Sequence, residues 1–359
     1  MSYFIAFLTA LLITAAVTPL VRGLALKYKI IDEPGRAERK IHNKPTPLLG
    51  GLAIFIGVVT TLIIYCYASD YLALGNLEPK YIVGVVLGMG VLLVGGILDD
   101  VYNLKPWQQI IWPLLATAVI IGAGIGITEI TNPFGGVIHL DQWEHVLFWA
   151  NGVAYKITMP ADVITFGWML LMMYTTKFLD GLDGLTAGIT GIGAFMIFAL
   201  AMFTQYYQPD TAMLAIIVAG VMGGFLIWNF NPAKIFLGEA GSTICGFLLG
   251  VLAIISGSKI ATALLVMAIP VLDLIWVIIR RIFLEKRSPF KGDKKHFHFR
   301  MLEIGFTQRQ AVIFLYILAF VFGTATLVLQ SRYKLLTLGI LAVVMLAMGL
   351  ILVNKFRKV

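Results

Sequence analysis

A chain that places about twenty apolar residues in a row, and does so repeatedly, has few folds open to it. A helix needs about 20 predominantly apolar residues to cross the hydrocarbon core of a bilayer. Eleven such windows are found, at roughly 3–23, 47–68, 80–98, 107–127, 161–179, 185–206, 211–229, 241–257, 260–282, 309–330 and 335–354. Charged residues make up only 13% of the 359, the hydrophobic set makes up 59% and the mean hydropathy is +0.91, which excludes an ordinary soluble domain. The expected fold is all-α: a polytopic integral membrane bundle of about eleven transmembrane helices, forming a single membrane-embedded domain over residues 1–359.

The first window, MSYFIAFLTALLITAAVTPLV, has no basic residue before it and no small-residue cleavage site, and its apolar run exceeds that of a signal peptide. It is expected to remain as the first span. The 36 Gly and 13 Pro are spread through the spans, which points to close helix packing and helix breaks. Sorting Lys and Arg into alternate loops gives 22 on one side and 5 on the other. The positive-inside rule then puts the richer side in the cytoplasm, the N-terminus outside and the C-terminus inside. The formal net charge of +8 is mainly an orientation signal on this reading, and it also suits anionic lipid headgroups. With no soluble domain to carry the charge, no nucleic-acid partner is expected. Cys66 and Cys245 lie in apolar windows and read as small buried hydrophobes.

Polar residues gather where the windows end. The first cytoplasmic loop, KYKIIDEPGRAERKIHNKPTPLLGG, carries Lys40, His42 and Lys44, which suit a phosphate and equally suit a plain positive-inside loop. Its final Gly50-Gly51 would let the backbone approach a ligand closely. The third window ends in Asp99-Asp100. Adjacent carboxylates repel unless a cation lies near them, and hard ions such as Mg²⁺ take one or two carboxylates plus substrate phosphates. A solvated helix end is the plain alternative. In KFLDGLDGL, Asp180 and Asp183 are three apart and on a helix would share a face, with Gly181 and Gly184 leaving room for a phosphate or a neighbouring helix. Asp180 to Ala187 also fits the first half of the CDP-alcohol phosphotransferase motif, D-x2-D-G-x2-A. Gly188 stands where that motif has Arg and no second acidic pair follows, so that reading is set aside.

Further on, WNFNPAKIFLGEAGST offers Asn229, Asn231, Lys234 and Glu239. Gly238-x-x-Gly241-Ser242 opens a helix whose N-terminus is either an anion site or an ordinary cap. Asp273 lies inside a window, where a carboxylate costs roughly 2.5–3.5 kcal/mol on insertion scales and so has a partner or a job; Arg280, two turns on, is one such partner. The loop RRIFLEKRSPFKGDKKHFHFRMLEIGFTQRQ holds His296, His298 and Arg300 among many Lys and Arg, which favours anion binding over zinc. Segment 128–160, the longest outside connection, has tryptophans suited to an interfacial belt.

Asp99, Asp100, Asp180, Asp183, Glu239, Asp273, His296 and His298 come from separate parts of the chain, yet loop parity puts them all on one face. Carboxylates for a divalent cation and basic groups for phosphate, on the cytoplasmic rim of a bundle, describe diphosphate chemistry within reach of a lipid headgroup.

The motifs HNKPTPLLGG, LDD, D-x-x-D-G, N-x-x-P-x-x-x-F-L-G-x-x-G-S, P-x-x-D and D-K-x-H-x-H-x-R-x-L run over nearly the whole chain. Together they resemble the polyprenyl-phosphate N-acetylhexosamine-1-phosphate transferases, and within them the branch that starts O-antigen, enterobacterial common antigen and teichoic acid synthesis from UDP-N-acetylglucosamine. The resemblance implies a multi-pass enzyme of the cytoplasmic (inner) membrane with its active site on the cytoplasmic face. Its donor would be a UDP-N-acetylhexosamine, its acceptor undecaprenyl or another polyprenyl phosphate, its cofactor Mg²⁺ (or Mn²⁺), and its products UMP and a polyprenyl-diphospho-sugar. A homodimer is compatible with it. The resemblance further implies catalytic roles for Asp99, Asp100 and Asp183. It assigns substrate binding to Lys44, Lys177, Asp180, Asn229, His296, His298 and Arg300, and metal binding to Asp99, Asp100, Asp183 and Glu239.

Three positions depart from the family pattern: Lys177 stands where it has Asn, Glu239 where it has Asp, and Phe299 where it has a third His. The phospho-MurNAc-pentapeptide transferases of peptidoglycan synthesis are the alternative within the family. They are marked by a triple His after Pro-Phe, and this chain has Pro289-Phe290 without the triple His. From a different class, a secondary transporter also has intramembrane carboxylates and broken helices, but with its site near the bilayer midplane. A non-catalytic relative that binds lipid diphosphate is the third reading, prompted by Lys177 and Glu239.

Overall fold

The computed structural model describes residues 2–34, 44–68, 78–132, 136–150, 153–203, 207–257, 260–286, 296–329, 333–334, 336–341 and 343. In chain order these form α1 (Ser2–Lys27), strands β1 (Ile31–Asp32) and β2 (Thr46–Pro47), α2 (Gly50–Ala68), α3 (Pro79–Tyr102), α4 (Pro106–Gln109) and α5 (Ile111–Gly122). Four strands follow, β3 (Glu129–Thr131), β4 (Val137–His139), β5 (Trp143–Ala150) and β6 (Val153–Met159). The chain then continues through α6 (Ala161–Leu179), α7 (Leu185–Phe203), α8 (Pro209–Asn229), α9 (Gly238–Ile255), α10 (Ile260–Val266), α11 (Ala268–Ile279), α12 (Phe297–Glu303) and α13 (Gln308–Val328).

Among the described residues, seven helices are long and apolar enough to cross a membrane: α1, α2, α3, α7, α8, α9 and α13. An eighth is formed if α10 and α11 are one span, and these two are bent by 80° about Met267. The window expected at 107–127 is a four-residue α4 and a twelve-residue α5, about 18 Å long at 1.5 Å per residue. Most of the window at 335–354 lies outside the described residues. Segment 128–160, expected only as an interfacial connection, folds into two antiparallel hairpins, β3–β4 and β5–β6, in a stretch rich in β-branched and aromatic residues.

Helix α1 shows how the bundle is held. Ala6, Ala10, Thr14, Thr18, Val21 and Ala25 fall on one buried stripe, while Phe4, Leu12 and Leu20 are more than 60% exposed on the outward side. The small stripe lets α8 come close: a Cβ on Gly220 or Gly224 would run into the Phe7 or Leu11 carbonyl of α1. Lipid tails are as apolar as leucine, so such contacts rest on close packing of small residues. The Thr14 and Thr18 hydroxyls stay satisfied by donating back to the carbonyls of Ala10 and Thr14, at 2.8 and 2.6 Å. At the other extreme α9 is enclosed from Gly238 to Ile254 by α2, α3, α6, α7, α8 and α10. The C-terminal ends of α3, α6 and α8 meet the N-terminal ends of α7 and α9 at one end of the bundle, and there the polar residues collect.

Candidate active site

Successive residues of a helix point about 100° apart, so Asp99 and Asp100 at the end of α3 face different neighbours. Asp99 is buried and turned toward α4: its Oδ1 accepts the Leu104 N–H at 2.7 Å and Gln109 Nε2 at 3.1 Å. It thus shapes the chain reversal after α3, where Asn103 adopts a left-handed φ of 51°. Asp100 is turned toward α9 and accepts the Glu239 N–H at 3.1 and 3.3 Å. A Cβ on Gly238, whose φ is +70°, would collide with this carboxylate. The N-terminus of α9, where free amides and the dipole favour an acceptor, is thus occupied by a side-chain carboxyl of the protein.

KFLDGLDGL is a helix break. Helix α6 stops at Leu179 and α7 starts at Leu185, with Gly184 at φ +81°, so Asp180 and Asp183 do not share a helix face as their spacing suggests. The two Asp-Gly steps explain the break, since each favours a turn over helix. Asp183 Oδ2 accepts Asn231 Nδ2 at 2.9 Å and the Ala233 N–H at 3.0 Å, tying the turn to the connection between α8 and α9. Asp180 sits at the C-cap of α6, and its charge, with those of Glu239 and Asp99, acts on Asp100. Asn229 is buried and donates to the Ile235 carbonyl at 2.9 Å, holding the same connection in shape.

Lys177, on the last turn of α6, forms an ion pair with Glu239 Oε1 and donates to Gln109 Oε1 at 3.0 Å, with its ammonium 5.7 Å from the centre of the Tyr174 ring. The two charged side chains are only 18% and 23% exposed. With Asp99 and Gln109 they form the polar end of a narrow cleft whose walls include Leu92, Gly95, Trp112, Pro113 and Met173. Its body is apolar and its mouth is charged.

A second cavity lies on the other side of α6, lined by Thr175, Phe178, Pro270, Asp273, His296 and His298. Asp273 does not pair with Arg280, whose Nε instead faces Glu285 Oε1 at 3.7 Å. Its Oδ2 meets His296 Nδ1 at 2.8 Å and its Oδ1 accepts the Phe297 N–H at 2.9 Å, capping α12. The His296 ring lies between Phe178 (5.8 Å, 21°) and His298 (5.7 Å, 11°). His298 is buried and its Nε2 has no hydrogen-bond partner among the described residues; a Cβ on Gly181 would strike that atom. Burial pushes the His298 imidazole down to about 3, Asp273 opposing and His296 assisting, so the ring is neutral at ordinary pH. Phe299 packs its ring 4.3 Å from that of His298, and Arg300 is buried on α12.

Lys44 is exposed at the start of the chain stretch that leads into α2. Pro47 O accepts the Phe236 N–H at 2.8 Å, and the N–H groups of Gly50 and Gly51 donate to Phe236 O and Leu237 O at 3.0 and 2.9 Å. The glycine pair therefore serves close approach of chain to chain: a Cβ on Gly51 would meet Gly241 N at 2.5 Å. Lys40 and His42 lie outside the described residues.

The carboxylates expected to bind a divalent ion each answer to a protein donor: Asp99 to Gln109, Asp100 to the α9 backbone, Asp183 to Asn231, Glu239 to Lys177. Among the described residues no three His, Cys, Asp or Glu side chains converge as a metal site built from protein ligands alone would require. This arrangement does not fit a protein cage for Mg²⁺. Gln109 and Tyr174 are members of the site that the sequence motifs pass over, and of the two only Tyr174, three residues before Lys177 on one helix, had a visible signal.

The model of the family described as "Glycosyl transferase family 4" matches residues 82–257, a span that takes in both Asp pairs, Lys177 and Glu239. The chain is 31% identical to the "Probable undecaprenyl-phosphate N-acetylglucosaminyl 1-phosphate transferase" of Bacillus subtilis (strain 168), over 97% of this chain and 90% of the relative. It is 31% identical to the "Decaprenyl-phosphate N-acetylglucosaminephosphotransferase" of Mycolicibacterium smegmatis, over 96% and 87% respectively. It is 25% identical to a "Phospho-N-acetylmuramoyl-pentapeptide-transferase" of Halalkalibacterium halodurans, over 91% and 95%.

Proposed function

The chain belongs to glycosyl transferase family 4, and from that premise we propose that it moves N-acetylglucosamine 1-phosphate from UDP-N-acetylglucosamine to undecaprenyl or another polyprenyl phosphate. An oxygen of the lipid phosphate attacks the sugar-linked phosphorus, a new P–O–P bridge forms, and the bond to UMP breaks. The observation that carries this reading is the charged mouth formed by Asp99, Gln109, Lys177 and Glu239 on an otherwise apolar cleft. An acceptor with a hydrocarbon tail and a phosphate head matches such a division of surface.

In this proposal the acceptor phosphate approaches the Asp99–Asp100 end, and Asp180 and Asp183 border the nucleotide. His296, His298 and Arg300, with Lys44, take the donor diphosphate. The buried neutral His298, with an Nε2 that has no partner among the described residues, is suited to a hydrogen bond with a phosphate oxygen. Mg²⁺, or Mn²⁺ in its place, would come with the donor diphosphate and not in a protein cage, and there it would supply charge neutralisation. The multi-pass bundle would sit in the cytoplasmic membrane with this end on the cytoplasmic face, in accord with the 22 to 5 distribution of Lys and Arg.

The test is purified protein with undecaprenyl phosphate, Mg²⁺ and a panel of labelled UDP-N-acetylhexosamines. UMP release with a chloroform-soluble sugar product from UDP-N-acetylglucosamine is expected. Turnover of UDP-MurNAc-pentapeptide alone would replace the sugar assignment, and no UMP from any donor would overturn the transfer itself.

A further inference from the structure

Two of the three departures from the family pattern touch one another. Lys177, on α6, stands in place of Asn, and Glu239, on α9, in place of Asp; their side chains form an ion pair. The extra methylene of Glu lets the carboxylate reach across to α6. Seen separately they look like two losses. In contact they are one exchange, in which a neutral amide and a carboxylate become a cation and a carboxylate.

The pair is also built in. Both side chains are about four-fifths buried, so they are screened less than an exposed pair. The ammonium also donates to Gln109 Oε1 at 3.0 Å, and the amide of the same Gln109 donates to Asp99 Oδ1 at 3.1 Å. One unbroken chain, Glu239–Lys177–Gln109–Asp99, thus links two of the four carboxylates expected to hold a metal. The Tyr174 ring beneath the ammonium adds a further contact.

We infer that Lys177 is a resident counter-cation: its ammonium fills the place at Glu239 that a divalent ion would need, so Glu239 does not ligate a metal in this chain. The charge that relatives would obtain from a bound ion at this point is supplied here by the polypeptide. The inference draws on the proposed diphosphate chemistry for its importance, but it is tested without either substrate, so each can fail alone.

Binding of Mn²⁺ to the purified full-length protein, read by electron paramagnetic resonance of the free ion, decides it. Glu239→Gln keeps an acceptor for Lys177 and is expected to leave the Mn²⁺ affinity of the wild type within twofold; a tenfold or greater loss would overturn the inference. Lys177→Asn is expected to raise Mn²⁺ affinity at least tenfold, and the gain should vanish in Lys177→Asn/Glu239→Gln. Lys177→Met serves the same purpose if the Asn variant does not fold, and Lys177→Arg should show no gain. A chain whose Mn²⁺ binding is indifferent to removal of the Lys177 charge refutes the idea.

Discussion

On one side of α6 Lys177 meets Glu239; on the other Phe178 stacks on His296, which leans on Asp273. Both are carboxylate–nitrogen pairs in partly or fully buried surroundings, but they leave different things behind. In the lysine pair each charge is answered, and the ammonium also reaches Gln109 and the Tyr174 ring. The histidine pair uses both Asp273 oxygens, one on a ring and one on a backbone N–H, and leaves His298 Nε2 buried without a partner among the described residues. The contrast teaches that one wall of the site has its charge balanced in advance while the other keeps hydrogen-bonding capacity in reserve.

Removing Asp273 should break the contrast most. Asp273→Ala deprives His296 Nδ1 and the Phe297 N–H of their acceptor, and each buried orphan costs about 1–3 kcal/mol. The two rings lose their setting, and a misplacement of about 1 Å is enough to cost ~10²-fold in rate. The expected outcome is a lower thermal midpoint together with a ~10²-fold loss of UMP release, while Asp273→Asn, which keeps an acceptor, loses less. Gly181→Ala is the next in size: its Cβ would press on His298 and Phe299, and overpacking of roughly 1–3 kcal/mol corresponds to about a tenfold loss, felt in donor KM. Gln109→Ala tests the closed wall. It cuts one neutral link between Lys177 and Asp99, worth about 1 kcal/mol or ~5-fold in turnover, with donor KM unchanged.

The smallest effect is one of pH. His298 takes a proton near 3 in the folded chain and near about 6.5 in the unfolded one. The unfolded state therefore binds more protons between those values. The stability tied to the neutral ring is complete above about pH 6.5 and is lost as pH falls from there toward 3. Thermal midpoints taken from pH 8 down to 4.5 should decline in the wild type and decline less in His298→Phe; equal slopes would count against a neutral buried ring.

The apolar windows that became α1, α2, α3, α7, α8, α9 and α13 were legible because a span of twenty apolar residues is a local property. The 80° bend at Met267 was not, since apolarity runs through it unbroken. In KFLDGLDGL the local geometry was not legible: spacing by three implies a shared face only while the helix continues, and Asp180-Gly181 and Asp183-Gly184 end it. Asp273 was rightly expected to have a partner, but Arg280 was the wrong one, because His296 is distant in sequence and arrives only with α12. The contact of Lys177 with Glu239 was invisible for the same reason. Each departure could be seen in the sequence, but only the packing of α6 on α9 shows that they belong together.

The carboxylate of Asp100 on the first amides of α9 has a consequence for selectivity. A free anion, inorganic phosphate included, competes there with a tethered carboxyl that never diffuses away. The helix end thus screens out anions that offer nothing but charge. A ligand that displaces Asp100 has to be held elsewhere as well, by a hydrocarbon tail in the cleft or by a nucleotide at the turn, and what the site senses is two ends of one molecule arriving together.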